Sequence, residues 1–242
     1  MSSPLFDEQS IKYLFERPTI DRIYRKDSGH CSFEKVVSTV SKWKQDGVFT
    51  VFTAGVFDML HVNHLLALNH YRLLGARLHL QRNGNLTPTD ENVIELAGSE
   101  KVKLIVTIDS DQRASKAKSY RPDKAYSPRP ILSWESRAMM LANQYMGLSD
   151  GSGWPLVDLI TQHGINSCIC STCPHRDNAD MAIALNPDLL IVNSASSDTI
   201  LKVRERISSR QLVILNENDL VYADSLLQGP IKSTAIITRA KL

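Results

Sequence analysis

Apolar residues along this chain gather into short, nearly continuous runs, separated by longer segments in which they recur at helical spacing. Five runs rich in β-branched or aliphatic residues are expected to be strands: Val48–Ala54, Val102–Ile108, Ile165–Cys170, Asp188–Val192 and Gln211–Leu215. The clearest of them do not alternate with polar residues, which is the pattern of strands buried on both faces of a parallel sheet. Helical spacing is found between them, over His64–Leu74, Ser133–Met146, Ala179–Leu185 and Thr199–Ile207. Strands alternating with helices predict right-handed crossovers and a doubly wound α/β fold with a five-stranded parallel sheet. Pro187 followed by Asp188 fits a helix that stops just before the fourth strand.

Three stretches depart from this rhythm. Residues 1–47 are expected to form an N-terminal helical extension, with amphipathic spacing over Phe33–Trp43, ahead of a domain spanning 48–242. Residues 110–130 read as a long polar connection, the kind of segment that in a compact domain is usually an active-site loop or a disordered one. The stretch Asn83–Glu100 reads as a polar surface insertion. Composition narrows the class further. Of 242 residues, 43% are hydrophobic and 22% charged, as in an ordinary soluble globular protein. A formal net charge of +2 argues against a broad nucleic-acid footprint. No apolar run approaches the roughly 20 residues that cross a bilayer, and the first residues lack the pattern of a signal peptide. A cytoplasmic protein is the expectation.

The candidate chemistry begins where the first strand passes into a helix, in the stretch TVFTAGVFDMLHVNH. In a doubly wound sheet, ligands sit beyond the carboxyl ends of the strands. Gly55 permits a tight turn and close backbone approach, and the following helix points free N–H groups and its positive dipole end at any anion held there. His61 and His64, three apart, project from one face of the first turn. Two imidazoles there can donate hydrogen bonds to phosphate oxygens and stabilise charge as a bond to phosphorus breaks.

GVFDMLHVNH resembles the G-x-F-D-x-x-H-x-G-H signature of cytidylyltransferase-like nucleotidyltransferases, matching at Gly55, Phe57, Asp58, His61 and His64. Asn63 stands where that family has glycine. The resemblance continues through Ser110-Asp111, with Lys118 falling where the family carries a phosphate-neutralising lysine. Arg129-Pro130 and Arg137 resemble a segment of the sugar-phosphate nucleotidyltransferases related to the heptose-phosphate adenylyltransferases, and LNPDLLIVNSA resembles the family's fourth-strand segment. GPIKSTAIITR near the C-terminus is similar to a phosphate-binding helix start, with wording close to that of the phosphocholine cytidylyltransferases.

The resemblance implies a Rossmann-like nucleotidyltransferase that moves NMP from CTP or ATP onto a phosphorylated small-molecule acceptor, a phospho-sugar or phospho-alcohol, and releases pyrophosphate. It assigns catalytic roles to His61, His64, Lys118 and Arg137. Nucleotide contacts fall to Ala54, Gly55, Val56, Phe57, Asp58, Asn63, Arg129, Asn193, Ser233, Thr234 and Arg239. It also implies Mg²⁺ accompanying the NTP, a homodimer, no nucleic-acid partner and no membrane span. Asn63 leaves open a nucleotide-binding protein of the same fold without catalysis. HVNH also resembles the motif of class I aminoacyl-tRNA synthetases, but no K-M-S-K-S follows. Cys168, Cys170 and Cys173 with His175 have donors suited to zinc. Their C-x-C spacing and their place on an expected strand point rather to buried thiols.

Overall fold

The structure, a computed structural model, describes residues 23–24, 33–119, 130–147, 153–163, 178–192, 201, 205 and 213–216. Their strands are β1 (Ile23–Tyr24), β2 (Phe49–Gly55), β3 (Val102–Asp109), β4 (Tyr145–Gly147), β5 (Gly153–Pro155), β6 (Leu159–His163), β7 (Leu189–Val192) and β8 (Val213–Asn216). The helices are α1 (Phe33–Gln45), α2 (Val62–Arg82), α3 (Asp90–Gly98), α4 (Asp111–Ser119), α5 (Trp134–Ala142) and α6 (Asn178–Leu185). Six strands form one sheet in the order β1-β6-β3-β2-β7-β8, and every pairing in it is parallel. This is the α/β, Rossmann-like fold that the alternating pattern predicts.

The chain runs outward from β2 through β3 to β6, then returns across the sheet to β7 on the other side of β2. The carboxyl ends of β2 and β7 therefore flank the reversal point, where open α/β sheets hold ligands. Side chains alternate between the two covered faces. Val51, Leu104, Val106 and Ile108 pack with residues of α2, α3 and α5, whereas Phe52, Ile105, Leu159 and Leu190 pack with α1 and α6. Covering both faces is what makes the β2 and β3 runs continuously apolar.

The structure departs from the sequence reading in five places. The strand beside β3 is Leu159–His163, while the expected run Ile165–Cys170 lies outside the described residues. Ile23–Tyr24 adds a sixth, edge strand. The stretch 83–100 is no mere surface decoration: Thr89 accepts a hydrogen bond from the Asn92 N–H and starts α3, which buries Val93 and Ala97 in the core. The polar connection after β3 opens as helix α4. Ser133–Met146 is not one helix, because α5 ends at the Asn143 cap and Tyr145–Gly147 pairs antiparallel with Gly153–Pro155.

The amino ends of the strands are fixed by buried charge. Arg72, 1% exposed, pairs with Asp158 and donates to the carbonyls of Ala97 and Val102 at 2.6 and 3.0 Å. Asp158 also accepts the Leu104 N–H at 2.8 Å and lies 3.2 Å from the Lys103 ammonium. Across the sheet, Asp188 accepts from both the N–H and the hydroxyl of Thr50 at 2.9 Å and pairs with Arg82 at 3.1 Å.

Helix α2 meets the sheet at Gly75, where an added Cβ would lie 2.4 Å from Val51 Cγ2. Val51 is buried in a central strand and cannot swing aside. Alanine at 75 therefore gains up to about 1 kcal/mol of helix propensity but meets about 1–3 kcal/mol of overpacking. Gly75→Ala is expected to lower the denaturant midpoint, and a raised midpoint would contradict this packing.

Candidate active site

The site is built where β2 ends. After Gly55 the chain turns sharply and Phe57 takes a left-handed conformation, with φ of +50°. For a residue with a bulky side chain this costs on the order of 1–3 kcal/mol and must be held by its surroundings. Two residues on either side hold it. Arg137, with a side chain 0% exposed, donates to the Val56 carbonyl and, at 3.1 Å, to the Leu132 carbonyl. Asp58, 2% exposed, accepts the backbone N–H groups of Ile131 and Leu132 at 2.7 and 3.1 Å. The turn after β2 and the segment entering α5 are thus tied in both directions.

The same guanidinium reaches the neighbouring strand. Arg137 Nη2 donates to the Asp109 carbonyl at 2.8 Å and to Asp111 Oδ1 at 2.6 Å, while Asp111 Oδ2 accepts the Trp134 N–H at 3.2 Å. The Trp134 indole N–H in turn donates to the Ile108 carbonyl at 3.3 Å. Arg137 therefore joins the carboxyl ends of β2 and β3 to the start of α5.

Beyond the turn, His61 is the N-cap of α2 but its side chain makes no cap hydrogen bond, and the first turn holds no acidic residue. No acidic residue of its own first turn therefore offsets the positive end of this 21-residue helix. The start of α4 differs: it carries Asp111, and Ser110 Oγ accepts the Arg113 N–H at 3.2 Å. A helix start of the α2 kind suits an anion.

The imidazoles of His61 and His64 stack at this helix start with ring centroids 3.8 Å apart, and Phe57 lies 5.2 Å from His64. Nδ1 of each histidine is buried without a hydrogen-bond partner among the described residues. Burial lowers the pKa of His61. Burial, and secondarily the charge of His61, push His64 down to about 4, partly opposed by the Met59 backbone. Both rings are accordingly neutral at pH 7, each carrying a single N–H.

Of the residues singled out by sequence, Ala54, Gly55, Val56, Phe57, Asp58, His61, Asn63 and His64 lie together on the end of β2 and the start of α2. Ala54 stands in register with Thr107 on β3. Lys118 is on α4, with its side chain outside the described part. Arg129, Asn193, Ser233, Thr234, Arg239 and the Cys168/Cys170/Cys173/His175 cluster lie outside the described residues. Among the described residues, no group of three or more His, Cys, Asp or Glu side chains could hold a metal, and no helix is long and apolar enough to cross a membrane. Sequence reasoning missed the carbonyls of Val56 and Asp109 as partners of Arg137, since no residue type marks a main-chain acceptor.

Fold and site together define an α/β domain with a paired-histidine helix start beside the reversal point of its sheet. No family model matches the chain. It is similar to the bifunctional protein HldE of Magnetococcus marinus, at 29% identity over 120 residues, covering 43% of this chain and 24% of that protein. Similarity to HldE of Aliivibrio salmonicida is 33% over 90 residues, covering 32% and 19%, and to HldE of Vibrio cholerae 39% over 72 residues, covering 30% and 14%. The chain thus spans less than a quarter of the length of these relatives.

The neutral histidine makes stability depend on pH. The folded pKa of His64 lies below that of the unfolded chain, so the unfolded state takes up the proton first. The resulting stability is present above about pH 6.5 and is lost as pH falls towards about 4. Its full size is at most about 3–4 kcal/mol. Between pH 7.5 and 4.5, wild type should lose more stability in denaturant titrations than His64→Gln, and equal losses would contradict the burial of a neutral ring.

Proposed function

We propose that this protein is a nucleotidyltransferase that binds a nucleoside triphosphate, CTP or ATP, and transfers its NMP part to a phosphorylated small molecule. The observation that carries this reading is the stacked, neutral His61/His64 pair at the uncapped start of α2. Similarity to the HldE proteins supports the nucleotidyltransferase class. It points the same way as the resemblance of Arg129-Pro130 and Arg137 to the sugar-phosphate enzymes, and so towards a phospho-sugar acceptor.

In this reading, the triphosphate supplies the negative charge that the start of α2 lacks. The imidazole N–H groups donate to phosphate oxygens, and Lys118, with Ser233, Thr234 and Arg239, holds the β- and γ-phosphates. A phosphate oxygen of the acceptor attacks the α-phosphorus in line. The bond from that phosphorus to the bridging oxygen breaks, and pyrophosphate leaves. The nucleophile is already an anion, so no strong general base is needed, and positioning and charge neutralisation supply most of the acceleration. Mg²⁺ accompanying the nucleotide would add charge neutralisation at the phosphates. Arg137, closed in by three carbonyls and a carboxylate, shapes the site without reaching a phosphate.

Asn63 favours a second reading, a nucleotide-binding protein that does not transfer. Pyrophosphate release, measured with each NTP, Mg²⁺ and a panel of sugar and alcohol phosphates, separates the two. Release above background with at least one pair is expected, and His64→Ala or Lys118→Ala should reduce it by about 10²–10³-fold while shifting Tm by only a few degrees. Nucleotide binding with no release across the panel would favour the second reading, and no binding of any NTP would remove both.

A further inference from the structure

Among the described residues only Phe57 and Asn186 adopt positive φ without being glycine, and Phe57 does so in the middle of the site. Its ring is wedged between two features. An added Cβ on Gly55 would lie 2.8 Å from Phe57 Cε2, so the ring occupies the space that any larger residue at 55 would need. On the other side, the ring centroid stands 5.2 Å from that of His64, at an interplanar angle of 59°. The place of His64 therefore depends on the place of the Phe57 ring.

Rotating φ of Phe57 out of the left-handed region would swing the preceding peptide plane and carry the Val56 carbonyl away from Arg137. The Arg137–Val56 hydrogen bond is thus a restraint on that dihedral angle. Asp58 restrains the following peptide through the Ile131 and Leu132 N–H groups. Arg137 itself has no exposed guanidinium surface to offer a ligand.

We propose that Arg137 is a positioning residue for the histidine pair: by binding the Val56 carbonyl it holds Phe57 in its left-handed turn, and the Phe57 ring in turn fixes His64. This rests on the nucleotidyltransferase reading for its purpose but not for its geometry. It explains how an arginine in the site can matter to phosphate chemistry without touching phosphate. It also explains why the left-handed position carries phenylalanine rather than glycine, because glycine would adopt the turn freely but leave His64 without its neighbour.

The test is histidine side-chain NMR on the full chain without nucleotide, comparing wild type, Arg137→Lys, Phe57→Leu and the double variant. Lysine keeps the charge but cannot reach three carbonyls at once. In Arg137→Lys the His64 ring signals should move towards free-imidazole positions. Their titration midpoint should rise from about 4 towards the ordinary histidine value of about 6.5. Phe57→Leu should do the same, and adding Arg137→Lys to it should change the His64 signals little further, since the arginine acts through the ring. A cooperatively melting Arg137→Lys variant with unchanged His64 signals overturns the proposal, as does additive behaviour in the double variant. Should Arg137→Lys fail to fold, Phe57→Gly decides instead: it allows the same backbone turn, and unchanged His64 signals in it overturn the proposal. Failure of the wild type to bind any NTP would remove the functional reading while leaving this ring result readable by itself.

Discussion

One buried guanidinium organises the carboxyl end of this sheet. Arg137 takes its acceptors from the turn after β2, the end of β3 and the entry to α5, together with the Asp111 carboxylate. Hydrogen bonds to a charged donor contribute about 1.5–3 kcal/mol each. Removing an ion from water costs several kcal/mol in opposition. The arrangement sets these opposing terms against each other. Its consequence is geometric: three backbone segments distant in sequence are held in one relation, and a strained turn is kept where the chain would not otherwise place it.

The opposite end of the sheet uses charge differently. Arg72, Asp158 and Lys103 on one side, and Asp188 with Thr50 and Arg82 on the other, fasten strand starts to helices and loops. There each carboxylate is answered by an internal cation. At the start of α2 the helix dipole meets no acid and its cap histidine makes no side-chain bond. The contrast between the two ends is what the proposed site rests on. The stacked imidazoles add donors without adding positive charge at neutral pH, because burial keeps them unprotonated.

Much of this was legible in the sequence, for physical reasons that can be named. β2 and β3 are covered on both faces, so their runs are apolar throughout and stand out. Gly55, His61 and His64 carry their meaning in residue type and spacing. What was hidden depends on context. β6 was missed because Asp158 and the polar Thr161-Gln162-His163 break its apolar pattern, although Asp158 is polar in order to bind Arg72 and the Leu104 N–H. Helix α3 was read as a surface insertion because only Val93 and Ala97 of its nine residues are fully buried. The roles of Asp58 and Arg137 as holders of backbone could not be read from sequence, since their partners are peptide groups that every residue possesses.

The proposed function requires a nucleoside triphosphate to dock on the start of α2, at the carboxyl ends of β2 and β3. Amide hydrogen exchange with and without an ATP or CTP analogue and Mg²⁺ tests this most directly. Protection concentrated in residues 55–66 and around 108–119 is the predicted result. Nucleotide-dependent protection confined to the amino ends of the strands, around Trp43, Lys101 and Asp158, would contradict it.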